Sequence, residues 1–562
     1  MSRGALLLLV CCLTMLLGLG RTAIVDSDEA FYAGAGREMV AGGDWITPHY
    51  NFEPRLNKPI LYYWLAAGTF KAIGVTEFAA RFWAALSGIG LAFVAFLVGR
   101  RWIGAGAGLV AGAIVATSVG VVVLVRQALP DVPLAFFISL TIWAAIEATS
   151  TRPVDTGGNA TSVRVRRWWL VLAAASMGLG LITKGPVAVA LPAMAVIPLL
   201  CWEWFSRDAG RVRAPFPIDM RSVLIAAVVF VVVAAPWYIA VTRVHGLDFL
   251  RQFFIGENFE RFATGRFNER REPLFYLGVM AGGLLPWTAF GVLWLSPLRE
   301  LFARRRDVSP TAARLVAWTA GPLLFLSASI GSQPRYILPC LVPVAVLLGR
   351  SLWQRATAAA GRDWLFAGAT IVAGLTLAGF GALVLRAQPL LTGVNPSWSP
   401  AGAFVMIGAG VAIAAAALLA PRRVIPGIVA AGAAATVMAF DATVLRAVRP
   451  EPVEVIAAAI KAQEPVDAVC ACGAFARNLT FYTGTPIVNN EELGQFLTRP
   501  GPGLAVVDSV LLAAVESSLQ RRFPRLAEVT YLNPALWQRP GEALLNPDPG
   551  RYLQRVFLVS NR

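Results

Sequence analysis

The sequence predicts a polytopic α-helical membrane protein of about thirteen transmembrane helices, followed by a small C-terminal α/β domain. Of the 562 residues, 57% are hydrophobic and 15% are charged, whereas a soluble protein carries about a quarter charged residues. The apolar residues fall in runs close to the roughly 20 residues that span a bilayer. After residue 447 these runs give way to short apolar stretches separated by Gly, Pro and Asn, a pattern typical of strands.

Composition narrows the possible ligands and partners. The formal net charge is +16, and only four of the 49 basic residues are lysines. No basic stripe with interleaved aromatic residues occurs, so no nucleic-acid partner is expected. The six cysteines do not indicate a disulfide framework, and we interpret Cys470 and Cys472 as small, unlinked strand residues. Two histidines leave little material for a histidine-based metal site.

Thirteen apolar segments have the composition of membrane spans. They lie near 4–20, 80–99, 103–125, 132–149, 168–182, 185–202, 222–240, 274–297, 314–331, 336–350, 364–385, 401–420 and 424–446. The first also resembles a signal peptide, although no clean cleavage site follows it. The shorter run 59–70 ends at Lys71, and we interpret it as an interfacial helix.

Arginine-rich connections alternate along the chain and predict its orientation. The clustered arginines are Arg100 and Arg101; Arg152, Arg164, Arg166 and Arg167; Arg207, Arg211 and Arg213; Arg304, Arg305 and Arg306; Arg350, Arg355 and Arg362; and Arg422 and Arg423. The positive-inside rule places these connections and the N-terminus in the cytoplasm. The transmembrane domain, 1–447, then has outer-face loops at 21–79 and 241–273, and the α/β domain, 448–562, follows on that outer side.

The first outer loop carries acidic, basic and aromatic residues close to the membrane surface. Asp28, Glu29 and Tyr32 come just after the first span, and Lys58 stands before a proline near its end. The structural alternative for the two acids is a solvated helix N-terminus, where acids favour the helix dipole by about 0.3–1 kcal/mol.

Further candidates stand where other outer connections meet the membrane. Asp131 lies between two prolines at the mouth of a span, Lys184 precedes Gly-Pro, and Arg335 and Tyr336 follow a short connection. The structural alternatives are a helix N-cap for Asp131 and a snorkelling side chain for Lys184. Ionisable residues this close to hydrocarbon are nevertheless candidates for function.

The second large outer loop adds Glu257 and Arg261. If this segment is helical, the two residues form an i,i+4 pair, and a structural salt bridge is the alternative to a functional role. Together, the outer connections predict a cavity that holds carboxylates and fixed cations. Such a cavity suits a substrate with a phosphate headgroup and an apolar tail, because cations stabilise a departing phosphate and a carboxylate activates an attacking group.

An ordered set of short motifs covers about residues 20–350. The motifs are Asp28-Glu29-x-x-Tyr32, Arg37-Glu38-Met39, Gly43-Asp44-Trp45-Ile46-x-Pro48, Lys58-Pro59, Tyr62-Tyr63-Trp64, Asp131-Val132-Pro133-Leu134-Ala135, Lys184-Gly185-Pro186, Glu257-Asn258-Phe259-x-Arg261-Phe262, Pro286-Trp287 and Arg335-Tyr336-Ile337-Leu338-Pro339. This set resembles the aminoarabinose transferase family, which is related to the protein O-mannosyltransferases. The resemblance implies the C-type membrane glycosyltransferase fold.

The resemblance also implies a function and a site. A sugar would move from a polyprenyl-phosphate donor to a lipid A-like lipid or another envelope acceptor, at the periplasmic face of a bacterial inner membrane. Asp28 would be the acidic residue at the reaction centre and Asp131 the second acid of the cavity. Lys58 and Arg261 would hold the lipid phosphate, with Tyr336 beside it.

Three positions depart from the family pattern. Asn57 and Asn258 stand where the family has the carboxylate and the imidazole that resemble its metal-contacting residues, and amides ligate divalent cations poorly by comparison. These residues favour a site without a resident metal, and a divalent cation is the alternative; the sequence indicates no other cofactor. Phe31 stands where the family commonly has an arginine.

Three alternatives remain open from the sequence. A polymerase or ligase of surface polysaccharide would share the lipid-linked donor, but its products would carry a chain of sugars and not a single one. An enzyme resembling the protein O-mannosyltransferases would use a protein acceptor. A lipid flippase or transporter would also contain intramembrane ionisable residues, but it predicts internal two-fold symmetry, which the hydropathy pattern lacks.

Overall fold

The computed structural model describes residues 2–149, 163–205, 219–264, 271, 272, 274–294, 309–358, 361, 363–445, 449–463, 465–489, 491–532 and 540–562. The arginine clusters predicted at 207–213 and 304–306 lie outside these residues. The same holds for Arg152 and for Arg362.

Helices dominate the chain as far as Thr443. The α-helices are Arg3–Cys11, Asp28–Gly42, Leu61–Ile73, Glu77–Trp102, Ala105–Thr117, Val119–Val125, Asp131–Thr149, Val163–Lys184, Val187–Phe205, Met220–Arg251, Arg261–Ala263, Phe275–Gly283, Pro310–Ala328, Leu341–Thr357, Trp364–Arg386, Gln388–Val394, Ala401–Leu419 and Ile425–Thr443. Cys12–Leu16 and Gln252–Glu260 are π-helical, and Trp287–Trp294, Pro334–Cys340 and Arg422–Val424 are 3₁₀-helical.

Each of the thirteen predicted spans corresponds to helical structure. Within the described part of the chain, eight helices are long and apolar enough to cross a membrane, or nine if the bent pair Ala105–Thr117 and Val119–Val125 is one span. The run predicted to be an interfacial helix forms the 13-residue helix Leu61–Ile73. The polytopic α-helical architecture is the predicted one.

Two predicted features differ from the structure. The span predicted at 103–125 bends by 55° between its two helices, because Ser118 is extended and Gly120 packs closely against Gly283. The predicted outer loop 241–273 is helical over much of its length, since Met220–Arg251 continues into the π-helix Gln252–Glu260 after a kink at Gly246. Gly246 has φ 73°, a conformation that glycine adopts without a steric penalty.

The segment 21–79 folds onto one end of the helix bundle. Ser27 caps the helix Asp28–Gly42, its side chain accepting a hydrogen bond from the Glu29 backbone N–H. Two short strands, β1 (His49–Tyr50) and β2 (Glu53–Pro54), then form a hairpin. The Glu38 carboxylate accepts hydrogen bonds from both backbone N–H groups of the hairpin turn, at 2.7 and 2.9 Å, and so fixes the hairpin to the helix.

The C-terminal part contains a five-stranded mixed sheet in the order β4-β3-β5-β7-β6. The strands are β3 (Ala468–Cys472), β4 (Ile487–Val488), β5 (Gly503–Asp508), β6 (Arg525–Leu532) and β7 (Leu553–Ser560). Pairings of β3 with β4 and β5 are parallel, and β7 pairs antiparallel with β5 and β6. The accompanying helices are Pro452–Lys461, Leu479–Thr483, Leu493–Thr498, Ser509–Leu519, Pro540–Leu545 and Pro549–Tyr552.

Cys470 and Cys472 correct one prediction made from the sequence. Both lie on β3, and a disulfide joins them in the structure. Residues two apart on a strand project from the same face, so the two side chains are neighbours. They are therefore linked, in contrast to the expected pair of independent strand residues.

The C-terminal sheet domain docks directly on segment 21–79. The Asp26 carboxylate accepts hydrogen bonds from the backbone N–H groups of Arg477 and Asn478, at 2.7 and 3.1 Å. The Asn51 side chain both donates to and accepts from the backbone of Ile487. These contacts hold the start of the helix Leu479–Thr483 against the segment that carries the first group of candidate residues.

Candidate active site

The chemistry-bearing residues stand at the ends of helices. Asp28 and Asp131 are the first residues of their helices, and Lys184 is the last residue of its helix. Acids at helix N-termini and cations at C-termini are favoured by the helix dipole. Because Asp131 at one end and Lys184 at the other meet in space, the two helices run antiparallel and close one side of the site.

Four residues from four chain segments form a continuous cluster of ion pairs. Arg335 Nη2 lies 2.5 Å from Asp28 Oδ2, and Arg335 Nε lies 3.4 Å from Asp131 Oδ2. Lys184 Nζ lies 2.5 Å from Asp131 Oδ1. The two predicted acids are therefore bridged by one arginine, and the predicted alternatives of a plain N-cap for Asp131 and a snorkelling Lys184 do not describe their contacts.

The two acids differ in accessibility. The Asp28 side chain is 45% exposed, whereas that of Asp131 is 4% exposed. Burial raises the pKa of Asp28, but the charge and the hydrogen bond of Arg335 outweigh it, so the pKa of Asp28 is below its ordinary value. Asp28 is thus the reachable, ionised carboxylate of the site.

Lys58 and Glu257 form a second ion pair at the site. Lys58 Nζ lies 3.5 Å from Glu257 Oε2, and Lys58 is within Coulombic range of Asp131. Glu257 lies in the π-helix, whose hydrogen bonds run from i to i+5. Lys58, which forms this ion pair with Glu257, belongs to segment 21–79. Arg261 begins a short helix, and its side chain lies outside the described residues.

Two tyrosines form part of the wall of the site. Lys184 Nζ lies 4.4 Å from the centroid of the Tyr336 ring, a cation–π contact. The Tyr32 ring stacks on Tyr63 at 5.3 Å and is buried. Burial raises the pKa of Tyr32 well above its ordinary value, so this phenol stays neutral.

Glu29 does not line the cavity, which corrects the prediction from the sequence. Its side chain is fully buried, and its carboxylate accepts hydrogen bonds from Arg81 Nε at 2.7 Å and Arg81 Nη2 at 3.0 Å. It also accepts from the backbone N–H groups of Ala128 and Val25. The two carboxylate oxygens of Glu29 thus bind Arg81, Ala128 and Val25, which belong to three different chain segments. Glu29 therefore has a structural role.

Sequence reasoning missed three arginines around the site. Arg81 stands inside a predicted span, and an ionisable residue in such a position is itself a detectable signal. Arg55 and Arg477 both lie over the ring of Phe31, with guanidinium carbons 3.9 and 5.3 Å from its centroid. Arg477 belongs to the C-terminal domain, and no local pattern connects it to the first loop.

The residues at the positions that resemble a metal site, Asn57 and Asn258, are amides, which are poorer ligands for divalent cations than carboxylate and imidazole. Within the described part of the chain, no group of three or more His, Cys, Asp and Glu side chains is arranged to hold an ion. The Asn258 side-chain amide donates a hydrogen bond to the backbone carbonyl of Phe253 at 2.7 Å, so it is engaged in holding its own helix. No step of the chemistry proposed below passes through a metal.

Comparison with solved structures identifies the fold. The structure resembles the crystal structure of ArnT from Cupriavidus metallidurans bound to undecaprenyl phosphate, with a TM-score of 0.71 and 22% sequence identity over 99% of this chain and 98% of that chain. The apo form of the same protein matches with a TM-score of 0.70. The likeness therefore shows the fold, which is the C-type glycosyltransferase fold of a multi-pass membrane protein.

Sequence comparison identifies the family. A family model described as dolichyl-phosphate-mannose-protein mannosyltransferase matches residues 7–250. The undecaprenyl phosphate-alpha-4-amino-4-deoxy-L-arabinose arabinosyl transferase 1 of Sodalis glossinidius is 33% identical over 400 residues, which cover 68% of this chain and 67% of that protein. The chain belongs to the family of these arabinosyl transferases.

Other curated relatives are matched over a smaller share of their length. The corresponding transferase 2 of Pseudomonas fluorescens is 31% identical over 60% of this chain, and the chain spans 54% of that protein. For the transferase of Pseudomonas paraeruginosa the identity is also 31%, over 62% of this chain and 60% of that protein.

Proposed function

We propose that this protein is an integral-membrane glycosyltransferase that moves a sugar from a polyprenyl-phosphate donor to a lipid A-like lipid or another acceptor of the cell envelope. One observation carries the proposal. Asp28, Arg335, Asp131 and Lys184 come from four distant segments and meet in one cluster of ion pairs, with Asp28 reachable from outside. Family membership supports the class of donor, because the relatives are named for undecaprenyl-phosphate aminoarabinose.

The proposed reaction is a single displacement at the anomeric carbon of the donor sugar. The acceptor oxygen attacks this carbon, the bond from the carbon to the phosphate oxygen breaks, and the phosphate leaves with the electron pair. The configuration inverts. The Asp28 carboxylate takes the proton of an attacking hydroxyl group. A phosphate leaving group is stable as an anion, so no general acid is required.

The cations of the pocket have two roles in this proposal. Lys58 and Arg261 hold the donor phosphate and stabilise the charge that develops on it, with Tyr336 beside it. Arg335 and Lys184 keep the two acids ionised and in fixed positions, as their short ion pairs support. If the attacking group is itself an ionised phosphate, no proton is transferred and Asp28 orients the acceptor.

The proposed location is a bacterial inner membrane, with the pocket and the C-terminal domain at the periplasmic face. The arginine distribution along the sequence supports this orientation. The contacts agree with it, because Arg101 pairs with Glu147 near the end of the helix Asp131–Thr149 opposite to Asp131.

A protein acceptor is the second candidate. The observation that favours it is the family model matching residues 7–250, whose description names a protein mannosyltransferase. Mass spectrometry of envelope lipids and of secreted proteins, from cells with and without this protein, separates the candidates. A sugar-modified lipid supports the first, and a glycosylated protein supports the second.

Asp28→Asn tests the reaction-centre assignment. The change keeps the size of the side chain but removes its charge and basicity, so we expect transfer in reconstituted membranes to fall by at least about a hundredfold. The matched control is Asp248→Asn, the same change at an exposed acid of the long helix, and it should retain the wild-type rate.

The same experiment checks that the variant protein is folded and that the wild-type protein is a transferase and not a flippase. The Asp28→Asn protein should keep its melting temperature and its binding of undecaprenyl phosphate. Near-normal turnover by this folded variant would remove Asp28 from the chemistry. Movement of the donor lipid across the bilayer by the wild-type protein, without any glycosylated product, would favour the flippase instead.

A further inference from the structure

Two arginines lie over one aromatic ring beside the proposed reaction centre. The guanidinium carbon of Arg55 is 3.9 Å from the centroid of the Phe31 ring, and that of Arg477 is 5.3 Å from it. Tyr50 approaches the same ring edge-on at 4.7 Å. An aromatic face attracts guanidinium groups and limits their motion. Phe31 therefore brings together two cations from segments more than 400 residues apart in the chain.

This arginine pair is next to Asp28. Phe31 follows Asp28 by three residues in the helix Asp28–Gly42, so the two side chains lie on neighbouring positions of one helix face. The positive charge of Arg477 acts on the Asp28 carboxyl. Arg55 acts on Tyr32, which also feels the charges of Asp131 and Arg335. The two arginines therefore lie next to Asp28, which is the exposed carboxylate of the ion-pair cluster.

Charge compensation distinguishes this pair from the other cations of the site. Lys58, Lys184, Arg335 and Arg81 each have a carboxylate partner. Within the described part of the chain, neither Arg55 nor Arg477 forms an ion pair with a carboxylate.

The Arg55 side chain also reaches the protein interior beside Tyr63. Arg55 is close enough to donate a hydrogen bond to the buried Tyr63 hydroxyl, but neither Arg55 Nε nor this hydroxyl has a partner of regular hydrogen-bond geometry among the described residues. Buried polar groups are normally satisfied, and those that are not call for an explanation such as a ligand. Arg477, by contrast, is exposed, so the pair extends from the protein interior to the surface.

We propose that Arg55 and Arg477, held on the Phe31 ring, form an anion subsite that binds a phosphate group of the acceptor. Arginine is suited to this task, because its planar guanidinium donates two parallel hydrogen bonds to phosphate oxygens. The donor phosphate has its own proposed ligands in Lys58 and Arg261. The inference rests on the proposed function, because it names the acceptor as a phosphate-bearing lipid.

Direct binding measurements test the subsite. The full-length protein in nanodiscs is titrated with bis-phosphorylated lipid A, with dephosphorylated lipid A and with undecaprenyl phosphate. We expect Arg55→Gln and Arg477→Gln each to weaken binding of bis-phosphorylated lipid A by about tenfold, as for loss of a charge-assisted hydrogen bond. Binding of the other two lipids should stay within about twofold of wild type.

Two further variants control for charge and for stacking. Arg555→Gln removes an exposed arginine of the same domain that pairs with Glu528 at 3.6 Å, and it should leave all three affinities unchanged. Arg55→Lys keeps the charge but loses the planar, two-pronged geometry, so it should bind with intermediate affinity. Melting temperatures identify any variant that fails to fold. If the Arg55 variants fail to fold, the Arg477→Gln variant still tests the subsite, because Arg477 is exposed.

The possible results separate this inference from the proposed function. An equal loss of undecaprenyl phosphate binding would assign the pair to the donor and overturn the acceptor subsite. Unchanged binding of bis-phosphorylated lipid A in both glutamine variants would also overturn it. A wild-type protein that binds bis-phosphorylated lipid A through this pair, but transfers no sugar, would refute the proposed function and leave the subsite standing.

Discussion

At the scale of single residues, the environment assigns different roles to acids that look alike in the sequence. Asp28 and Glu29 are adjacent, yet the Asp28 side chain is exposed and pairs with Arg335, whereas the Glu29 side chain is fully buried against Arg81. Removing one partner of a buried ion pair leaves an uncompensated charge, which costs about 3–5 kcal/mol. A mutation of Glu29 would thus lower activity through loss of the fold, without any contact with substrate.

The pH dependence of transfer reports on the pair formed by Arg335 and Asp28. Burial and the charge of Asp131 raise the pKa of Asp28, and Arg335 lowers it further than they raise it. The carboxylate therefore persists on acidification until the pH falls through this lowered pKa. In Arg335→Gln the lowering is lost, so we expect the acid limb of the pH–rate profile to move to higher pH.

Arg335→Lys is the control for this experiment. It retains a positive charge near Asp28, so its acid limb should lie between those of the wild type and the glutamine variant. An acid limb that stays at the wild-type position in Arg335→Gln would show that Asp28 does not govern the acid side of the profile.

At the scale of structural elements, helix ends define the site and one glycine determines where a helix ends. Gly185 follows Lys184 with φ +91°, and a Cβ at this position would lie 2.8 Å from Phe253 and 3.3 Å from the Asn258 side chain. Because Gly185 has no side chain, the end of the helix Val163–Lys184 can pack directly against the π-helix that carries Glu257. The sequence motif Lys184-Gly185-Pro186 thus has a steric explanation.

Gly185→Ala should lower both stability and transfer. A positive φ disfavours any residue with a Cβ by about 1–2 kcal/mol, and the clash adds to this penalty by moving Lys184 away from Asp131. Melting temperature and transfer rate are the measurements. Gly256→Ala is the matched control, because a Cβ there meets nothing within 4 Å, and it should behave as wild type. Wild-type values for Gly185→Ala would contradict the positioning role of this turn.

At the scale of the whole molecule, the pocket and the C-terminal domain share one end of the helix bundle. The helix Asp131–Thr149 has Asp131 at this end, and its 19 residues extend about 28 Å toward the other end. That length is close to the roughly 30 Å of the hydrocarbon core. Near the opposite end lies Glu147, which pairs with Arg101 and accepts hydrogen bonds from Trp102 and Trp143.

Thiol labelling tests the proposed orientation. In a Cys201→Ser background, we expect Ser397→Cys to react with a membrane-impermeant maleimide in intact spheroplasts, because its exposed connection is on the side of the C-terminal domain. Thr357→Cys, on a connection with clustered arginines, should react only after permeabilisation. The reverse labelling pattern would place the pocket in the cytoplasm.

The sequence predicted much of the fold because the length of an apolar run is a local property that a bilayer converts directly into a helical span. It also pointed to Asp28, Asp131, Lys184 and Arg335, since charges near hydrocarbon are rare enough to be noticed. It did not predict the helical continuation after residue 240, because aromatic residues at a membrane surface are compatible with either a loop or a helix.

What only the tertiary structure decided is which charges face one another. Lys58 pairs with Glu257, one arginine bridges Asp28 and Asp131, and Arg477 arrives from the C-terminal domain. Coulombic attraction depends on separation in space and on burial, and neither is encoded in the spacing of residues along the chain. Composition and order thus determined a membrane protein with charged residues at the ends of its helices, whereas packing determined which of those charges meet in the ion-pair cluster.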